Sequence, residues 1–159
     1  MAQVDNNLVA VFDISGSLYG LVLTSVQEIL PMPSITPLPK APAIIRGIVN
    51  IRGTAVPVLD IRARFRLPSK SPVPTDHLVV ARAGQRPVAL CVDRVLDLRP
   101  VASSAIQDAD SITPGAEYLA GVARCADGLI LIHDLCTFLA EAEANDLDAA
   151  LAHHATATP

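Results

Sequence analysis

Tryptophan is absent, and aromatic residues make up only 3% of the 159 positions. Nor is there an excess of positive charge: 12 Lys and Arg stand against 16 Asp and Glu, for a net charge of −4. Nucleic-acid binding wants a basic groove and stacking rings, so both shortages argue against it. No apolar run reaches the length of a bilayer span. The least charged stretch, Ile14 to Gln27, is broken by Ser15, Gly16, Ser17, Gly20 and Thr24. The opening MAQVDNN lacks the basic-then-apolar order of a secretory signal. Neither a nucleic-acid partner nor direct membrane insertion is expected.

Reactive constellations are equally scarce. Cys91, Cys125 and Cys136 are odd in number and form no C-x-x-C pair. Cys91, inside VALCV, reads as a small buried apolar side chain, and the set fits a reducing cytoplasm. The eight glycines are scattered singly, so no phosphate-cradling loop is present. Of the histidines, His77, His133, His153 and His154, only His133 has suggestive neighbours, Asp134 and Cys136. A strand-end histidine followed by a helix-capping aspartate is the simpler account. No catalytic residue, metal or cofactor is expected.

What the chain does have is apolar sequence, 51% of its residues, enough for a substantial core. LVAVFDI (Leu8 to Ile14) reads as a strand, SGSLYG as a tight turn and LYGLVL as the returning arm. Ser25 and Glu28 have the spacing of a capping box, which predicts a short helix in SVQEIL. PMPSITPLPKAP holds too many prolines for a helix or a central strand. IIRGIVNIR predicts a strand, Gly53 and Thr54 a turn, AVPVL its partner, and Asp60 the N-cap of a brief helix, IRARF. PSKSPVP, Pro68 to Pro74, is a second proline-rich connection. In TFLAEAEANDLDAALAHH, Phe138, Leu139, Ala142, Leu147, Ala150 and Leu151 recur at helical spacing. That predicts an outer helix, with ATATP as a frayed end.

Midway, the pattern begins again. Val26, Glu28 and Ile29 are matched by Val95, Asp97 and Leu98, each 69 positions on (26 to 95). Gly47, Leu59, Asp60 and Ile61 are matched by Gly121, His133, Asp134 and Leu135, each 74 positions on (47 to 121). A repeat this long suits a doubled half-domain better than a solenoid. Short strands with Gly and Pro turns point to two all-β lobes, as small barrels or a sandwich. A groove between them could hold a small molecule, although no polar cluster converges to define one. Arg52 is matched by Ala126 and Gly53 by Asp127. A second lobe without the arginine implies that Arg52 serves something other than closing the fold.

VQEIL, the proline-rich link and APAIIRGIVNIRGTAVPVLDIRARF together resemble the signature of CheW-like domains, the coupling proteins of bacterial chemosensory arrays. VALCVDRVLDL, EYLAGVA and LILIHDL are similar to further family motifs, and the likeness runs from about Leu8 to Leu139. The resemblance implies an all-β fold of two intertwined, SH3-like, five-stranded β-barrels with short helices. The CheW-like domain would span residues 8–140, its halves roughly 14–75 and 76–135, with a C-terminal helix and frayed tail over 141–159. The implied activity is non-enzymatic: an adaptor between the cytoplasmic tip of a methyl-accepting chemoreceptor and the regulatory domain of a chemotaxis histidine kinase. It would be cytoplasmic and associated with membrane-bound or soluble receptor arrays. Output through gene regulation, pili or surface sensing is an alternative to flagellar steering.

Carried over by position, the receptor and kinase interface falls on Val26, Glu28, Ile48, Asn50 and Arg52. Arg52 and Glu28 are expected to pair across the groove between the barrels, with Val26 and Ile48 as apolar contacts or, alternatively, buried in their own barrel. The neutral SGSLYG, the proline-rich link and an acidic ASSAIQDADSITPG, with Asp108 and Asp110, depart from the family pattern.

Overall fold

Runs of β-branched and aliphatic residues between Gly and Pro turns become strands throughout. The computed structural model describes residues 6–107, 119–125, 128–139 and 141–157. The first half gives β1 (Asn6–Ile14), β2 (Ser17–Val22), a 3-10 turn (Leu23–Ser25), β3 (Val26–Pro31), β4 (Ile45–Ile51), β5 (Thr54–Leu59) and α1 (Ile61–Arg64). The second gives β6 (His77–Ala83), β7 (Arg86–Val92), β8 (Arg94–Ala102), a 3-10 turn (Ser103–Ala105) and β9 (Ile106–Gln107). It continues with β10 (Leu119–Cys125), β11 (Gly128–His133), a 3-10 turn (Leu135–Thr137) and α2 (Glu141–Ala157). Asp108, Asp110, Tyr118, Ala126 and Asp127 lie outside the described residues.

Three local expectations need correcting. SVQEIL is not a helix: the 3-10 turn ends at Ser25 and VQEIL forms β3. The backbone of VQEIL pairs with β6, Glu28 opposite Val80 and Ile29 opposite Val79, and its residues alternate in exposure. That ladder outcompetes one helical turn, whose nucleation is costly. The hairpin turn is Arg52–Gly53, not Gly53–Thr54, because Ile51 and Thr54 form its closing pair. Finally, α2 starts after Phe138 and Leu139 and runs to Ala157, into the stretch expected as a loose tail. Asp60 does cap α1, its side chain accepting from Ala63 N.

The strands form two mixed sheets, ordered β8-β1-β2-β11-β10-β9 and β3-β6-β7-β5-β4. Each takes strands from both sequence halves: β1 and β2 sit in the sheet of β8 to β11, while β6 and β7 sit in that of β3 to β5. The edges β8 and β9 are joined through the turn Ser103–Ala105, which curls the first sheet on itself around Val9, Val11, Val101, Ala123, Ile130 and Ile132. The second sheet encloses Val49, Val56, Val58, Leu78, Val80 and Ala89. These are two SH3-like barrels. A third and larger cluster, with Phe12, Tyr19, Leu21, Phe65, Leu90 and Phe138, packs between them. α2 adds Leu147 and Ala150 to it.

The duplication extends to register. Phe12 pairs with Tyr19 as Ala81 pairs with Val88, both 69 positions on (12 to 81). Val95 opposite Phe12 and Asp97 opposite Val11 reproduce Val26 opposite Ala81 and Glu28 opposite Val80, including the bulge between them. Gly47 opposite Val58 becomes Gly121 opposite Ile132, again just after a register shift. A Cβ at Gly121 would lie 2.8 Å from Gln107 O. At Gly47 it would sit 2.6 Å from Ile35 Cγ2 and closer still to Thr36 O. Both glycines therefore let a crossing segment approach: β9 in one barrel, the isolated bridge of Thr36 to Ile48 in the other. β9 gives the first sheet a short sixth strand, whereas the second has five.

Candidate protein-interaction site

The β4–β5 hairpin ends in a two-residue turn with φ of 50° at Arg52 and 87° at Gly53. Such turns favour Asn or Gly at the first position, because a Cβ strains the left-handed backbone. Asn50 supports the tip by accepting from Gly53 N with Oδ1 (2.8 Å). Arg52 donates from Nη1 to Glu28 Oε1 (3.0 Å) and from Nη2 to Oε2 (2.7 Å), a bidentate pair. The hydrogen bond and charge of Glu28 raise the arginine pKa further. The Arg52 side chain is still 77% exposed, against 21% for Glu28.

The pair does not span the groove between the barrels. β3 and β4 are the opposite edges of one sheet, so Glu28 and Arg52 bridge the seam of a single barrel. Strand exchange puts them together, because β6 and β7 from the second half fill the space between β3 and β5. Asn50 is exposed beside Arg52. Val26 is half-buried against the inter-barrel core and Ile48 is buried in it, so neither packs in the interior of its own barrel, as the alternative expected. Ile48 is among the residues lining a cavity of about 270 Å³, with Thr36, Val49, Asn50, Gly53 and Ala55.

On the other barrel, Asp97 occupies the place of Glu28 but binds Arg99 on its own strand, Nε to Oδ1 at 2.8 Å. Leu8, Leu96 and Leu98 are 46%, 37% and 53% exposed there. Leu8 lies opposite Pro100 and Leu98 opposite Ala10, which makes an apolar strip along β1 and β8. The sequence reading passed over this strip because its leucines fit a strand core equally well.

His133 ends β11, followed by Asp134 and the turn at Leu135. Its ring is buried among Phe12, Tyr19, Phe65 and Phe138, with no hydrogen-bond partner for either nitrogen. Burial pushes its pKa down to about 3, so it is neutral and shut off from substrate or metal. Cys91 is half-buried with Sγ 3.5 Å from Met32 Sδ, and burial pushes its thiol pKa up. Among the described residues no His, Cys, Asp and Glu side chains gather as a metal-ligand cluster.

Arg62 is a node that sequence reasoning missed. Its Nη1 donates to Ser15 Oγ (2.5 Å) and Pro68 O (3.2 Å), and Nη2 to Asp93 Oδ1 (2.6 Å). Asp93 Oδ2 accepts from Ser15 N (2.9 Å). Burial raises the Asp93 pKa, but the Ser15 N–H and the Arg62 guanidinium outweigh it and hold the pKa below the usual range. One buried guanidinium thus ties α1 and the second proline-rich link to the β1–β2 turn and the start of β8.

Comparison with known proteins agrees with this architecture. The sequence model of the CheW-like domain matches residues 8–143. The chain belongs to the CheW-like domain family. This CheW-like chain is 29% identical to the chemotaxis protein CheW of Klebsiella aerogenes over 135 residues, covering 84% of this chain and 81% of that protein. It is 29% identical over 143 residues to the probable chemotaxis protein CheW of Rhizobium etli, covering 89% and 92%. Among solved structures it is similar to the scaffolding protein TtCheW from Thermoanaerobacter tengcongensis, with a TM-score of 0.79 and 27% identity over 87% of this chain and 90% of that one. No helix among the described residues is long and apolar enough to cross a membrane.

Proposed function

We propose that this chain is a non-enzymatic adaptor that couples the cytoplasmic tip of a methyl-accepting chemoreceptor to the regulatory domain of a chemotaxis histidine kinase. It would act in the cytoplasm, at the receptor array. The observation that carries the reading is the exposed guanidinium of Arg52, clamped in both directions by Glu28 at a strained hairpin tip. An exposed pair contributes only about 0–1 kcal/mol to stability, so its geometry is better explained by presentation than by folding. Family membership supplies the partners, since relatives of nearly the same extent are named chemotaxis proteins. An adaptor must hold two surfaces at once. The Arg52 tip on one barrel and the leucine strip on the other are separate patches. Three part-exposed leucines are far less than the roughly 800 Å² per partner of a stable interface, so each contact is weak and the array supplies avidity.

The test is co-purification of the chain with its cognate kinase regulatory domain and receptor fragment, singly and together. A ternary complex that raises kinase activity supports the adaptor. Turnover of a small-molecule substrate, or binding of neither protein at array-like concentrations, overturns it.

A further inference from the structure

The helix α2 lies almost wholly beyond the matched domain, which ends at residue 143. It follows β11 of one barrel, yet its ion pairs reach the other: Glu143 with Arg64 of α1, and Asp148 Oδ1 accepting from Arg86 Nη2 at the start of β7 (2.7 Å). Its grip is narrow. Between Ala142 and His153 only Leu147 and Ala150 are buried, with Glu143, Ala144 and Leu151 half-buried. A surface helix of a globular core buries a wider apolar stripe than this. Among its described residues, Leu147 is the one large side chain fully inside. Alongside lies a cavity of about 410 Å³, lined by Lys40 of the first proline-rich link and by Asp146, Ala149, Ala150 and His153. Packing contacts between the helix and that link are forfeited there.

Phe138, by contrast, is buried before the helix begins, and its carbonyl accepts from Arg64 Nε (2.9 Å). The chain is thus fixed to the barrels up to Phe138, and α2 can lift away without unpicking a strand. Seven of its 17 residues are alanine, the strongest helix former. Its acids lead and its histidines trail, the order that the helix dipole favours. Lifted away, it would leave an apolar slot rimmed by the cations of Arg64, Arg86 and Lys40. The helix itself specifies what that slot accepts: an apolar pair three positions apart (147 and 150) and carboxylates five apart (143 and 148). We infer that α2 is a displaceable occupant of a helix-binding slot, and that the slot receives an acidic amphipathic helix of a partner protein. Charge sets the choice, because a basic or neutral helix would leave Arg64 and Arg86 without their carboxylates. Helix-in-groove recognition reads such apolar anchors at i and i+3. The tethered α2 competes at high effective concentration, so the slot stays closed until the partner helix outbids it. The inference does not rest on the adaptor reading.

The test has two arms, both on the full chain. Native-state hydrogen exchange of the wild type should show the α2 amides opening about a hundredfold more readily than those of β1 and β7. The second arm titrates a labelled peptide of the α2 sequence, residues 141–157, into the wild type, Leu147→Ala and Leu147→Ala with Arg86→Ser. Leu147→Ala loosens the resident helix, so it should take up the peptide about tenfold more tightly than the wild type does. A peptide carrying Asp148→Asn should bind Leu147→Ala more weakly, and that difference should vanish in the variant that also lacks Arg86. Exchange of the α2 amides only with global unfolding overturns the inference. So does equal peptide binding by the wild type and Leu147→Ala, or a Leu147→Ala chain that does not fold, since α2 would then be part of the core. Indifference of the peptide to Asp148→Asn removes the acidic specification. A concentration-dependent dimer of the wild type, seen by sedimentation and weakened by Arg86→Ser, assigns the slot to the helix of a second copy and overturns the partner helix.

Discussion

The two barrels solve one folding problem twice, and the places where their solutions differ separate closure from everything else. Val9 and Leu78, Val11 and Val80, and Val58 and Ile132 fill equivalent interior positions. Pairing registers and bulges repeat as well. Arg52, Arg62 and His133 do not repeat: their counterparts by position are Ala126, Cys136 and Leu59. A barrel can therefore form without an arginine at the hairpin tip, without a guanidinium in the first turn after its last strand, and without an imidazole at that strand's end. Each of the three needs a separate explanation, and each gives a way to challenge the comparison.

Arg62 should show the largest effect. Its side chain is only 8% exposed and it bonds Ser15, Pro68 and Asp93 at once. Truncation leaves Asp93 with Lys70 at 3.5 Å as its remaining cation. Breaking a buried pair from one side costs about 3–5 kcal/mol, and the part-exposed Asp93 argues for the lower end. Arg62→Ala is expected to lose about 3 kcal/mol in urea unfolding at neutral pH. A loss under about 1 kcal/mol would mean that the barrels hold together without this node, as the cysteine at the equivalent position allows.

Next come Gly47 and Gly121, where the halves agree. An alanine at either would push on the crossing backbone, more closely at Gly47. Overpacking of this kind costs about 1–3 kcal/mol. Gly47→Ala and Gly121→Ala should both destabilise, the former more. If only one responds, the shared register is a coincidence of strand pattern and not an inherited constraint.

Strands and hairpins could be read from the sequence because alternation and turn residues are local signals. VQEIL could not: the S-x-x-E spacing imitates a helix start, and its residue types do not alternate with exposure, since Glu28 is half-buried and Ile29 exposed. The Arg52–Glu28 pair followed from family likeness. Its position on one barrel seam did not, because the exchange of β1 and β2 against β6 and β7 leaves no trace in local pattern. Arg62 was hidden for a similar reason. Its partners lie 47 and 31 residues away, and a buried arginine looks like any helix-surface arginine until the chain is folded. His133 was placed correctly at a strand end, but its aromatic surroundings come from β1, β2, the end of α1 and the turn before α2.

His133 should give the smallest effect at neutral pH and the most informative pH dependence. Its buried ring leaves at least one polar nitrogen unsatisfied, a cost of about 1–3 kcal/mol. The other half places Leu59 at the same register. His133→Leu is therefore expected to stabilise the chain at pH 7 by about 1 kcal/mol, some of the gain being offset by the different shape of the side chain. The pKa of about 3 in the folded state lies below the ordinary value of 6.5. Below pH 6.5 the unfolded chain takes up a proton that the folded chain refuses, so the contribution present above that pH is lost as pH falls toward 3. Between pH 7 and pH 5 the wild type should lose about 2 kcal/mol more than His133→Leu. The window stops at pH 5 so that carboxylate titration stays small. Parallel stability curves for the two proteins across it would mean that the imidazole finds solvent or a partner, and that this strand end is not the sealed counterpart of Leu59.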